Sequence, residues 1–81
     1  MKTKVTLKYF AMLRDHTKKS EEEIEGTFSN AHELFELICS NYQVKLDKSQ
    51  FKVAINECYE DFNTVLENGD TVAFIPPVAG G

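Results

Sequence analysis

The chain has 81 residues, 42% hydrophobic and 27% charged, with a formal net charge of −4. That length allows one domain and one core, which buries only about 60–65% of the surface an unfolded chain exposes. The composition excludes a disordered chain, no apolar run approaches the roughly 18–20 residues that cross a bilayer, and the scattered lysines exclude the concentrated basic footprint of a nucleic-acid binder.

The opening residues Met1-Lys2-Thr3-Lys4-Val5 enter directly into a strand-like alternation with no apolar signal segment, so a cytoplasmic protein is expected. Over Thr3–Phe10, Val5, Leu7 and Tyr9 fall on one face and Thr6 and Lys8 on the other, which predicts a half-buried strand. Ala11-Met12-Leu13-Arg14 has the length of a short helical turn, and Thr17–Ser20 is a polar connection. Glu21–Glu25 is a weak strand resting on Ile24, with a return of the chain at Gly26. Its three glutamates are expected to form a solvated edge, where charge discourages strand-to-strand aggregation. Asn30 to about Tyr42 predicts the main helix: Asn30 caps it, and Glu33 stands three residues later as in a capping box. Leu34, Leu37, Ile38 and Tyr42, widened by Phe35, give it one apolar face.

Beyond a polar stretch, Phe51, Val53 and Ile55 alternate as a strand, Asn56-Glu57 turns out of it, and Cys58–Asp61 makes a short return. Leu66 is an isolated core plug. Asn68-Gly69-Asp70 is a turn, and Thr71–Ile75 is the last strand, ended by Pro76-Pro77. One helix on one face of a mixed sheet is an α+β two-layer domain. Small domains with this element order include the β-grasp, or ubiquitin-like, fold. A ferredoxin-like fold needs a second helix, for which no apolar stripe exists.

Cys39 and Cys58 form no C-x-x-C pair and read as ordinary small residues of a reduced protein. Neither sits in the electropositive setting that a reactive thiol needs. His16 and His32 lack ligand-spaced companions, so no metal site is expected.

The last residues, Pro76-Pro77-Val78-Ala79-Gly80-Gly81, carry the chemistry. Two prolines stiffen the exit, Ile75 before them is pushed toward extended geometry, and the side chains then thin to nothing. Residues 1–75 are therefore read as the domain and 76–81 as an extended tail. A Gly-Gly end threads a narrow channel and lets catalytic groups crowd its carbonyl. Its carboxylate becomes reactive only after activation, typically as an acyl-adenylate made from ATP. Sulfide transfer to the adenylate would give a thiocarboxylate able to deliver sulfur, making the chain a group carrier.

Gly69-Asp70-Thr71-Val72-Ala73-Phe74-Ile75-Pro76-Pro77-Val78-Ala79-Gly80-Gly81 resembles the terminal signature of the molybdopterin synthase small subunits, the MoaD family of the ThiS-like superfamily. Tyr9–Arg14 resembles that family's first-strand ending, and Val53-Ala54-Ile55-Asn56 its middle strand. Thr71 stands where the family usually has an acidic residue, and His16–Phe28 follows it only in outline. The resemblance implies a β-grasp fold and a non-catalytic carrier subunit that binds no cofactor of its own. A ubiquitin-activating-enzyme-like adenylyltransferase would use ATP to adenylate Gly81, which is then thiocarboxylated. Pro77, Val78, Ala79, Gly80 and Gly81 would enter the large subunit of a heterotetramer, whose own residues catalyse sulfur transfer to cyclic pyranopterin monophosphate in molybdenum cofactor synthesis. Other readings are a carrier for thiamine or tRNA thiolation, a ubiquitin-like protein modifier, and a plain binding module.

Overall fold

Alternating apolar residues and well-capped turns produce five strands and one helix among residues 2–9 and 18–76, the part of the chain that this computed structural model describes. The helical turn expected over Ala11–Arg14 lies outside the described residues. Strand β1, Thr3–Tyr9, buries Val5, Leu7 and Tyr9 as its period of two requires. Strand β2, Glu21–Gly26, runs antiparallel to it with Ile24 opposite Val5.

Helix α1 spans Ala31–Asn41. The Asn30 side chain accepts from the Glu33 N–H at 2.9 Å, and the Glu33 carboxylate reaches back to the Ser29 N–H at 2.6 Å. This is a capping box displaced by one residue, since the reciprocal bond falls on the residue before the cap. The helix buries Ala31, Leu34, Phe35 and Ile38, while Leu37 and Tyr42 only flank the core. At its other end Gln43 takes φ +55°. The Val44 N–H donates to the Cys39 carbonyl at 3.0 Å, and the Gln43 N–H to that of Ser40 at 3.3 Å. That is a Schellman cap built without glycine.

The polar stretch that follows contains a 3-10 turn, Lys48–Gln50, capped by Asp47, whose carboxylate accepts from the Ser49 N–H at 3.0 Å. Strands β3, Lys52–Ile55, and β4, Cys58–Glu60, form a hairpin. Its two-residue loop, Asn56-Glu57, carries φ of +53° and +71°, the double left-handed geometry that matches strand twist. Leu66 is buried as a plug, held where its N–H meets the Ser29 carbonyl at 3.0 Å. Gly69 turns the chain at φ +91° into β5, Thr71–Ile75.

The strands lie in the order β2-β1-β5-β3-β4, with β5 parallel to β1 and antiparallel to β3. Two hairpins joined through a central parallel pair, with one helix on one face, is the β-grasp arrangement. Phe74 of β5 is fully buried and meets Phe35 of α1 edge-on at 5.0 Å, while stacking on Phe62 at 5.9 Å. Replacing Phe74 by Ala is expected to cost about 3–5 kcal/mol, through lost transfer energy and the cavity left behind. Urea unfolding measures this as a lower midpoint with an unchanged slope.

Candidate functional site

Every tail residue singled out from the sequence, Pro77, Val78, Ala79, Gly80 and Gly81, lies outside the described residues. What the structure does define is the root of that tail. Strand β5 ends at Ile75, opposite Lys52 of β3, and the preceding Phe74 stands between Tyr9 of β1 and Val53 of β3. The chain thus passes into Pro76 from the middle of the sheet, held on both sides by ladder hydrogen bonds and from below by the aromatic core.

Among the described residues nothing covers the face of the sheet turned away from α1. Because side chains alternate, β5 presents Thr71, Ala73 and Ile75 there, all half-buried. Ala73 lies directly opposite Ala54 of β3, and Ala54 opposite Tyr59 of β4. Two facing alanines leave a gap where larger side chains would meet. The result is a hollow of about 400 Å³ lined by Lys8, Ala54, Glu57, Tyr59, Thr71, Ala73 and Ile75. Tyr59 is 69% exposed, and an exposed tyrosine beside a hollow of mixed apolar and charged lining is a common anchor of protein interfaces. The hollow adjoins the root of the tail, since Ile75 belongs to both.

On the helix side of the same strands sits a polar cluster. The Glu22 carboxylate accepts from the Tyr42 hydroxyl at 2.6 Å, from the Tyr9 hydroxyl, and from Lys19 Nζ at 3.0 Å. The glutamates of β2 are thus not simply a solvated edge: Glu21, Glu23 and Glu25 are exposed, but Glu22 turns inward opposite Leu7. Burial pushes the Glu22 pKa up, yet the hydrogen bonds from Tyr42, Tyr9 and Lys19 outweigh it and hold the group below its ordinary value. Burial and the neighbouring carboxylate push both tyrosines up, so they stay protonated donors. The cluster ties β1, β2 and the end of α1 together beside the Tyr9–Phe74 pair.

Among the described residues no group of three or more His, Cys, Asp or Glu is placed to hold a metal ion. No described helix is long and apolar enough to cross a membrane. Cys39 and Cys58 are free, and burial pushes the Cys39 thiol up, away from reactivity.

The ThiS family matches residues 7–81, almost the whole chain. This chain belongs to the ThiS family. It is 35% identical over 82 residues to the molybdopterin synthase sulfur carrier subunit of Mycobacterium tuberculosis, spanning 96% of this chain and 98% of that one. A solved structure described as molybdopterin converting factor subunit 1 from Pyrococcus furiosus superposes with a TM-score of 0.76 at 30% identity, covering 94% of this chain and 99% of that one. The small archaeal modifier protein 1 of Methanosarcina acetivorans has a TM-score of 0.79 at 22% identity, covering 100% and 99%, which is a likeness of fold. The family's fold is thus the one the described residues form.

The Glu22 cluster has a measurable consequence. A carboxylate held below its ordinary pKa of 4.5 contributes stability that is present above that value and lost as pH falls through the depressed one. Glu22→Gln should therefore destabilise the fold at neutral pH and flatten the loss of stability on acidification. Urea unfolding at pH values on either side of 4.5 gives the comparison.

Proposed function

We propose that the chain is the sulfur-carrier subunit of a molybdopterin synthase and that the carboxylate of Gly81 is its working group. The observation carrying this reading is sequence identity of 35% to a molybdopterin synthase sulfur carrier subunit over nearly the full length of both chains. The family match also runs through Gly80 and Gly81. An adenylyltransferase partner uses ATP to form the Gly81 acyl-adenylate, releasing pyrophosphate. A sulfide equivalent then displaces AMP and leaves the thiocarboxylate. Within the large subunit, the thiocarboxylate sulfur bonds to a carbon of cyclic pyranopterin monophosphate as a carbon–oxygen bond at that carbon breaks, the departing oxygen taking a proton from the large subunit's acid. Water cleaves the remaining acyl–sulfur bond and restores the carboxylate.

In this reading the domain recognises and the tail reacts. Pro77 to Gly81 enter the large subunit, whose residues supply the acid–base chemistry. The open sheet face, with its hollow at Ala54, Ala73 and Tyr59, forms the docking surface around the tail's root. Two free cysteines suit a reducing cytoplasm.

The deciding experiment incubates the chain with ATP, the activating enzyme and a sulfide source, then weighs the intact protein. A mass gain equal to exchanging one oxygen for sulfur is expected, and adding large subunit and pterin precursor should remove it. A gain that survives this addition assigns the carrier to another pathway, such as thiamine or tRNA thiolation. Conjugates of higher mass without a thiocarboxylate would make the chain a protein modifier. One residue added after Gly81 should abolish the mass gain without altering the fold.

The docking face has its own test. Ala73→Arg would fill the hollow from a half-exposed position, so circular dichroism should stay unchanged while the complex with the large subunit is lost. A complex of undiminished affinity would place the interface elsewhere.

A further inference from the structure

The edge of the sheet farthest from β4 has a definite polarity. The Tyr9 N–H donates to the Ser20 carbonyl at 2.8 Å, and the Thr6 N–H to the Asp70 carbonyl at 2.9 Å. Backbone direction alternates along a strand, so Thr3, Val5, Leu7 and Tyr9 face β2 with their backbone groups. Their partners Gly26, Ile24 and Glu22 bond inward. Glu21, Glu23 and Glu25 therefore turn their N–H and C=O groups outward, and β2 ends the order of strands among the described residues. The same three residues carry exposed carboxylates on the outer face of the sheet, where Lys4 Nζ lies 3.7 Å from Glu23 and Lys8 stands opposite Glu21, so three carboxylates outnumber two lysines of β1 there.

On the helix side of this edge, between β2 and α1, runs an open groove of about 880 Å³. Ile24, Gly26, Phe28 and Leu37 form its floor, and the exposed Glu33 and Glu36 line its helix side. Gly26 contributes no side chain, so Phe28 and Leu37 are reached directly from the edge.

We propose that this edge and groove receive an extended segment of a partner protein in which Lys or Arg alternates with aliphatic residues, added beside β2 as a further strand. Residues of such a strand opposite Glu21, Glu23 and Glu25 share their face, where basic side chains meet three carboxylates. The residues between them project to the helix side, over Phe28 and Leu37, where aliphatic side chains lose water. Backbone pairing supplies affinity and the alternation supplies register, the logic of strand addition. A charged edge also shields against indiscriminate pairing. Two copies of β2 would set glutamates against glutamates, so this charge rejects self-pairing while admitting a basic strand. The proposal is independent of the sulfur-carrier reading, because the edge lies on the far side of β1 from β5.

The probe is a synthetic heptapeptide, Lys-Ile-Lys-Val-Lys-Ile-Lys, set against its isomer Lys-Lys-Lys-Lys-Ile-Val-Ile of equal charge and composition. Amide hydrogen exchange on the full chain should slow at Glu21, Glu23 and Glu25 with the alternating peptide and not with the isomer. Glu23→Lys combined with Glu25→Lys should weaken binding about tenfold or more, with circular dichroism confirming the fold. If that variant unfolds, the isomer comparison still decides. Equal binding of both peptides, or protection at other amides, overturns the proposal. Slowed exchange at these amides on raising protein concentration without peptide would instead make the occupant a second copy of this chain.

Discussion

The burial of Phe74 between Phe35 and Phe62 is the contact on which the rest of the molecule depends. It fastens the central strand to the helix, and β5 in turn is the only described strand that pairs with both the β1–β2 and the β3–β4 hairpin. A single strand carrying Val72 and Phe74 inward and Thr71, Ala73 and Ile75 outward is both the keel of the core and the root of the tail. Stability and presentation are therefore one problem in this protein.

That double role explains why the turns before β5 are so heavily tied. The Asn56 side chain donates to the Asp70 carboxylate at 2.9 Å and accepts from the Thr71 N–H at 3.0 Å. The other Asp70 oxygen accepts from the Glu67 N–H at 2.8 Å, and the Lys4 N–H meets the Asn68 side chain at 2.8 Å. Two turns distant in sequence thus brace each other and the start of β1. Hydrogen bonds of this kind contribute about 1 kcal/mol each, but their greater effect is geometric: they set where β5 begins, and hence where Ile75 delivers the chain.

Features with local causes were legible in the sequence. The alternation of Val5, Leu7 and Tyr9, the Asn30–Glu33 cap, the Asn56-Glu57 and Asn68–Asp70 turns and the burial of Leu66 all follow from residues close together in the chain. The reading of Pro76-Pro77-Val78-Ala79-Gly80-Gly81 rests on six adjacent positions in the same way, and all of them after Pro76 lie outside the described residues. What composition does not reveal is which distant residues meet. Nothing near Glu22 announces two tyrosine donors, one 13 and the other 20 positions away. The hollow exists only because the register sets Ala54 against Ala73. Gln43 ends the helix in a left-handed conformation usually taken by glycine, so no residue-type signal marked it.

The parallel pairing of β1 with β5 sets the first strand of the sequence against the last, Thr6 beside Thr71 and Tyr9 beside Phe74. During synthesis, a nascent chain that has not reached residue 71 lacks the strand that pairs with both β1 and β3. Its aromatic core lacks Phe74, so it exposes Phe35 and Phe62 to water. Closure of so long a loop comes late and makes folding slow for a domain of this size. Because Pro76 follows directly on the strand that completes the sheet, only a finished domain sets the exit of that strand beside its outer face.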